Sequence, residues 1–284
     1  MEAQTNSRVW FITGCSSGFG RALVDRVLAH GQRVVATARD ATALEELAAR
    51  HPESCHALAL DVTDAAQVKS VIAQTLDSLG RLDVVVNNAG YGLVGAFEEL
   101  STEEIEQNFS TNFFGALEVI RVALPTLRAQ GGGHIVNISA AATISNYPGF
   151  SIYGAAKAAL ESVSESLALE LQPFGIKVTI VQPGPFRTDF VRRSLRHAEN
   201  EIADYDRTSG KFRRLLETMD GKQPGDPDKA ADAIIAAVES DTPPLRLVLG
   251  KYAHDKVRGQ LVATERELSA WEAVGRSTEF GAKS

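Results

Sequence analysis

The chain has almost no cysteine. Cys15 and Cys55 are the only two among 284 residues, and they do not form a spaced pair. That count excludes a disulfide-stapled scaffold and a thiolate metal cluster, so no metal site is expected and the thiols read as those of a cytoplasmic protein. Long apolar runs are also missing: none approaches the roughly 20 residues of a membrane span. The opening Met-Glu-Ala-Gln-Thr-Asn-Ser has neither the basic region nor the apolar core of a signal peptide. Positive charge is in deficit, with 29 Lys and Arg against 36 Asp and Glu, a net charge of −7. This balance argues against nucleic acid or a membrane surface as partner. There is no internal repeat and no low-complexity tract.

What is present alternates. Residues 8–13 form a short apolar run ending in glycines, the pattern of a buried parallel strand. A helix is expected over 18–30, a strand over 33–38, a helix over 40–50 and a strand over 56–60. A helix over 63–79 and a strand over 82–86 lead to Asn87-Asn88-Ala89-Gly90. Residues 102–129 read as helical, with Pro125 interrupting the pattern and Gly131-Gly132-Gly133 ending it. Then come a strand over 134–138, a long helix over 149–172 and a strand over 176–181. A helix over 228–239, a seventh strand over 245–249 and a helix over 252–274 complete the chain. Strands alternating with helices through short loops imply right-handed crossovers and a parallel sheet covered on both faces. Residues 183–222 break this rhythm. They are charged, yet Phe186, Phe190, Leu195, Tyr205, Phe212, Leu215, Leu216 and Met219 recur in them. Such a segment is too amphipathic for a linker and too long for an ordinary loop, and reads as short helices forming a lid over a ligand cleft.

Three patterns carry chemistry. Thr13-Gly14-Cys15-Ser16-Ser17-Gly18-Phe19-Gly20 joins the first strand to the first helix. Glycines there let backbone approach a pyrophosphate, and the helix start offers unpaired N–H groups. At the end of the second strand, where an acidic residue would bond a ribose diol, stand Ala38 and Arg39. A guanidinium suits a 2′-phosphate, so NADP(H) is favoured over NAD(H). Tyr153 and Lys157 lie four apart on one helix, so their side chains share a face. An ammonium beside a phenol favours its ionised form, which suits an acid/base pair.

Together with Asp61, Asn87-Asn88-Ala89-Gly90, Asn112 and Pro183-Gly184-Pro-Phe-Arg-Thr188, these motifs resemble the short-chain dehydrogenase/reductase family over about residues 7–250. The central part is most similar to the hydroxysteroid and retinol dehydrogenase-like branch. The resemblance implies one Rossmann-fold domain over 1–284, a doubly wound parallel seven-stranded sheet with helices on both faces. Within it, 7–183 would be the cofactor-binding and catalytic core, 184–225 the substrate-binding lid, and 226–284 a final helix, strand and helix. It implies that Gly14, Ser16, Ser17, Gly18, Phe19 and Gly20 line the pyrophosphate turn and that Arg39 meets the 2′-phosphate. Asp61 and Val62 would border the adenine, with Asn88, Ala89 and Gly90 on the adenosine side. Tyr153 would be the general acid/base, and Lys157 would hold the nicotinamide ribose and lower the tyrosine pKa. Asn112 would anchor a water linking Lys157 to solvent. Pro183, Gly184 and Thr188 would seat the nicotinamide carboxamide, while Phe186, Phe190 and Tyr147 would face the substrate. Family members commonly pair the helix beginning near Thr102 and the Tyr153 helix, so a homodimer or homotetramer is expected.

One position departs from the family. A serine is expected thirteen residues before the tyrosine, and this chain has Ala140 there; Ser139 is one residue early and would point the opposite way on an extended strand. Three readings stay open: an introduced Ser→Ala replacement that inactivates an enzyme, a natural member using Ser139 or Ser145, and a cofactor-binding protein with little catalysis. The leading expectation is an NADP(H)-dependent interconversion of a secondary alcohol and a ketone or aldehyde, on an apolar or amphipathic small molecule. An NADP(H)-binding sensor is the alternative from a different class. A dehydratase or epimerase fits less well, because further acid/base residues would be expected.

Overall fold

The computed structural model describes residues 7–280. The first half alternates strictly: β1 (Val9–Ile12), α1 (Gly18–Ala29), β2 (Arg33–Ala38), α2 (Thr42–Arg50), β3 (Cys55–Ala59), α3 (Ala65–Leu79) and β4 (Val84–Asn87). Then follow β5 (Gly92–Val94), α4 (Thr102–Phe109), α5 (Gly115–Ala129), β6 (Gly133–Ile138), α6 (Ser151–Leu171) and β7 (Ile176–Pro183). The last part holds α7 (Phe190–Arg193), β8 (Leu195–His197), α8 (Lys211–Met219), α9 (Pro227–Glu239), β9 (Arg246–Leu249) and α10 (Lys251–Arg276).

Seven strands form one sheet in the order β3-β2-β1-β4-β6-β7-β9, every pairing parallel. The chain starts in the middle, winds outward through β2 and β3, then returns to β4 and winds the other way. That reversal between β1 and β4 opens a crevice at the carboxyl ends of the strands, where such sheets take ligands. Alternate β1 residues serve opposite faces, as a strand's period of two requires. Trp10 and Ile12 pack in one layer with residues of α1, α2 and α9, while Val9 and Phe11 pack in the other with residues of α3, α5 and α6. All four are fully or almost fully buried, and burying such side chains contributes roughly 1.5–3 kcal/mol each. Local signals set the helix starts. Asp64 accepts from the Ala66 and Gln67 N–H groups of α3, and Ser101 and Glu104 form a capping box on α4.

Three features differ from the sequence expectation. The helix expected over 102–129 is divided by a wide turn, Ser110–Phe114, which rotates Asn112 into the interior. Pro125 does not interrupt α5: it lies on the exposed side, where water can satisfy the carbonyl that proline leaves unpaired. A second sheet was not foreseen, because β5 and β8 are three residues each and pair across a hundred residues. Through it the lid segment is stitched to the chain just after Gly90. Only Ala253 of α10 is buried, and none of the described helices is long and apolar enough to cross a membrane.

Candidate active site

A cavity of about 820 Å³ spans the carboxyl ends of the strands and runs beneath the lid. Its floor begins at the β1–α1 turn. Thr13 Oγ1 accepts from the Asn88 and Ala89 N–H groups at 3.0 Å each, and Asn88 Nδ2 donates to the Thr13 and Gly14 carbonyls at 2.8 and 2.9 Å. These bonds tie the turn to the end of β4. Gly14 has φ +71°, and a Cβ there would lie 2.8 Å from the Ala89 Cα, so only glycine fits. Ser17 gives α1 no side-chain cap, so the first N–H groups of the helix are left for a ligand. Gly14, Ser16, Ser17, Gly18 and Phe19 all line the cavity. Gly20 does not, which corrects its expected role. A Cβ there would sit 2.4 Å from the Gly14 carbonyl oxygen and 2.5 Å from Asn88 Nδ2, so this glycine serves helix-to-turn packing.

Arg39 lines the cavity at the end of β2, exposed and without a hydrogen bond or ion pair among the described residues. Asp61 and Val62 line the same end; the Asp61 carboxylate accepts from Thr63 N and Oγ1 at 2.9 and 2.7 Å. Asn88, Ala89, Gly90, Pro183, Gly184 and Thr188 continue the wall toward the centre. An uncapped helix start, a turn only glycine can make and an unpaired guanidinium together fit a phosphate-bearing dinucleotide.

Tyr153 and Lys157 project from the first turns of α6, both under 10% exposed and both lining the cavity. The Tyr153 hydroxyl has no hydrogen-bond partner among the described residues. Lys157 Nζ donates to the Ile138 carbonyl at 2.9 Å. Burial pulls the lysine down to about 8, and the Glu161 carboxylate opposes that fall. The expectation that Lys157 lowers the tyrosine pKa is corrected for the free protein. Burial raises the Tyr153 phenol above its ordinary value, because the ring lies between Phe150 (5.1 Å) and Phe190 (6.2 Å). Asn112 Oδ1 accepts from Tyr91 N at 3.2 Å, and its Nδ2 donates to the Tyr91 and Asn108 carbonyls at 2.9 and 3.1 Å. A Cβ on Gly90 would lie 2.4 Å from Asn112 Oδ1 and 3.3 Å from Lys157 Nζ. Glycine at 90 thus lets these three groups converge.

Ala140 faces the cavity and packs with Phe150 and Tyr153. Ser139 also lines the cavity, but its hydroxyl donates to Glu161, whose carboxylate also accepts from Thr143 Oγ1 (2.6 Å) and from Gln182 Nε2 at both oxygens (3.0 and 2.9 Å). Ser145 is not part of the cavity wall. The Glu161 cluster was missed from sequence, although Glu161 follows Lys157 by four residues on the same helix face, a spacing that would have found it.

The outer part is aromatic. Tyr147 stacks on Phe212 at 5.0 Å and 9°, and Phe150 meets Phe212 edge-on at 4.9 Å. The Tyr147 and Tyr252 hydroxyls are 2.9 Å apart, and Lys256 Nζ stands 3.3 Å over the Tyr147 ring. Phe186 and Phe190 line the lid side with Leu215, Leu216 and Met219. Tyr252 carried no local sequence signal, since it reaches the site from the first turn of α10.

A doubly wound parallel sheet whose switch point carries an uncapped, glycine-turned helix and a buried Tyr–Lys pair defines an oxidoreductase that works with a nicotinamide dinucleotide. The chain belongs to the short chain dehydrogenase family, whose model matches residues 8–199. It is 45% identical to a short-chain dehydrogenase of known structure from Streptomyces avermitilis, with a TM-score of 0.92 over 97% of this chain and 100% of that one. It is 35% identical to a 3-ketodihydrosphingosine reductase of Bacteroides thetaiotaomicron over 86% of this chain and 88% of the relative. A serine dehydrogenase complexed with NADP+ is 26% identical, with a TM-score of 0.73 over 85% of this chain and 94% of that one.

Proposed function

We propose that the chain is an NADP(H)-dependent oxidoreductase that interconverts a secondary alcohol and a ketone or aldehyde. The observation that carries this reading is the unpartnered Tyr153 hydroxyl facing the cavity, with the Lys157 ammonium one helical turn away. When bound, the cofactor supplies or accepts the hydride. The chain manages the proton: Tyr153 Oη gives it to the developing alkoxide in reduction and takes it back in oxidation. Lys157, protonated below about pH 8, lies on the same helix face, where it would hold a ribose hydroxyl of the bound cofactor. Asn112 and Gly90 hold the Tyr91 segment beside it. The unpaired Arg39 and the alanine at position 38 support NADP(H) over NAD(H). The aromatic wall of Phe150, Phe190 and Phe212 supports an apolar or amphipathic substrate, and a relative named as the reductase of a keto compound agrees with that class.

The test is NADPH oxidation over a panel of aromatic and long-chain ketones, with Tyr153→Phe as control. Turnover by the parent chain that is lost in Tyr153→Phe upholds the proposal; equal rates in both would remove Tyr153 from the chemistry. The sensor reading rests on Ala140, which puts a methyl group where a hydroxyl donor would help. Tight NADPH binding without turnover of any carbonyl compound, in both this chain and Ala140→Ser, would favour it. We further propose that copies associate through α4 and α6, where Phe114 in the turn following α4 and Leu169 in α6 are 59% and 75% exposed, as sedimentation of the Leu169→Glu variant would check.

A further inference from the structure

Helix α10 is the longest helix among the described residues, and most of it rests on nothing. It runs for 26 residues, about 39 Å, and only Ala253 in its first turn is buried. Val257 is half-buried, and from Thr264 onward every described residue is exposed. Helices in proteins owe most of their stability to an apolar face packed on something else. α10 has such a face. Ala253, Val257, Leu261, Thr264, Leu268 and Trp271 recur every three or four residues, so they fall on one stripe. The stripe begins where the helix is seated on its own protein and runs on past the end of that contact. There Leu261, Leu268 and Trp271 are 66%, 63% and 68% exposed. Val274 borders the stripe and Val262 lies outside it. Soluble chains seldom leave such a row of large apolar side chains in water without a partner.

We propose that this stripe is a contact between two copies of the chain, α10 of each copy packing antiparallel about a twofold axis. Two observations select this occupant. The first is spacing. Alternating steps of three and four are those of helices that interlock side by side. With the axis beside residue 266, Leu261 meets Trp271 of the second copy and Thr264 meets Leu268 of the second copy. The same pairs recur across the axis, so the stripe is its own complement, as a twofold contact requires. The second observation is charge. Residues 251–260 carry Lys251, Lys256 and Arg258 against Asp255, whereas residues 261–276 carry Glu265, Glu267 and Glu272 against Arg266 and Arg276. A basic start and a more acidic remainder oppose the dipole of α10 itself, so these charges do not serve the helix alone. An antiparallel copy brings the acidic part beside the basic one, with Arg258 opposite Glu272 of the second copy on both sides of the axis. A parallel copy would set like charge on like. Glu265 and Glu267 do approach their own counterparts near the axis, at the rim, where water and salt screen them. Covering the stripe removes about 500 Å² from each copy, about 1,000 Å² in all, the lower bound of a specific interface. The contact is independent of the cofactor and of the one through α4 and α6.

Leu268→Glu and Trp271→Glu replace exposed residues, so in dilute solution their urea midpoints should equal that of the parent. Sedimentation at tens of micromolar is expected to show that either change halves the mass of the assembly, in the parent and in the Leu169→Glu chain alike. Equal mass with and without Leu268→Glu overturns the proposal, whether the chain is then a monomer or an assembly held elsewhere. A mass halved by Leu169→Glu but not by Leu268→Glu would keep the contact through α6 and overturn this one. A lowered urea midpoint also overturns it, because Leu268 would then be seated on its own protein. The arrangement is read by oxidising cysteine variants, Cys15 and Cys55 both being buried. A mixture of Leu261→Cys and Trp271→Cys chains should cross-link one species to the other, and neither species alone should cross-link to itself. Cross-linking within either species marks a parallel pair and overturns the antiparallel one, as does the absence of any cross-link. Binding of the chain to phosphatidylglycerol vesicles as a monomer, lost in Leu268→Glu, would give the stripe to a lipid surface and overturn the second copy.

Discussion

At Ala140 a methyl group fills the place where a hydroxyl would meet charge developing on the substrate oxygen. Removing one such donor from an enzyme typically costs about 10²–10³ in turnover, so Ala140→Ser is expected to raise kcat by about 10²-fold with little change in NADPH affinity. Steady-state rates on the best ketone of a panel check this; a rise below threefold would mean another donor already serves the oxygen. Ser139 is not that donor, since Glu161 holds its hydroxyl. The register of the strand alone does not disclose the carboxylate that receives this hydroxyl, because it comes from α6 and is a tertiary fact. His134 illustrates a residue with no sequence signal at all. Buried beside Thr179, with Lys177 and Arg8 also opposing its charge, its imidazole is pulled down to about 4. The unfolded chain takes up this proton near pH 6.5 while the folded chain resists until about 4. Stability is therefore unaffected above pH 6.5 and falls as pH drops from 6.5 toward 4, by about 3 kcal/mol. Urea melts should show that loss in the parent and a smaller one in His134→Gln.

The strands and helices of the first half are legible because their period, apolar runs and caps are local. β1 reads as an unbroken apolar run, β2 and β4 as mostly apolar ones, and α3 and α9 each begin at an aspartate that accepts their first N–H groups. The β5–β8 pair was hidden for the opposite reason: six residues contribute to it, and neither strand has a pattern of its own. The α1 turn lies between these cases. Its glycines announce a phosphate site, but which of them faces the ligand and which faces the protein depends on packing. Gly20→Ala tests that division. Its methyl would meet the Gly14 carbonyl, which cannot rotate away as a side chain can, so the turn itself must move. Such overpacking is expected to cost about 1–3 kcal/mol in urea unfolding and to weaken NADPH binding through the displaced turn. A variant as stable as the parent would return Gly20 to the ligand wall.

Over the whole molecule, one ligand would touch parts that lie far apart along the chain. The cavity joins the ends of β1, β2 and β4, the start of α6, and a lid that is fastened to the core by the β5–β8 ribbon, by loop hydrogen bonds and by the packing of Phe190, Phe212 and Leu216 on Phe150 and Tyr153. A ligand that binds only the folded chain stabilises it by mass action, about 2.7 kcal/mol at a hundred times its dissociation constant. In a protein near this size each kcal/mol shifts Tm by about 2–4 °C, so saturating NADPH is expected to raise Tm by roughly 5–10 °C. The same experiment locates the specificity. Arg39 stands at the end of β2 with no partner among the described residues, so Arg39→Asp should leave Tm of the free protein nearly unchanged. It places a carboxylate where a 2′-phosphate would lie, and should abolish the NADPH shift while keeping or enlarging the shift with NADH. Equal shifts for both cofactors in the parent, or equal losses in the variant, would take the 2′-phosphate away from Arg39 and leave the cofactor choice to another part of the wall.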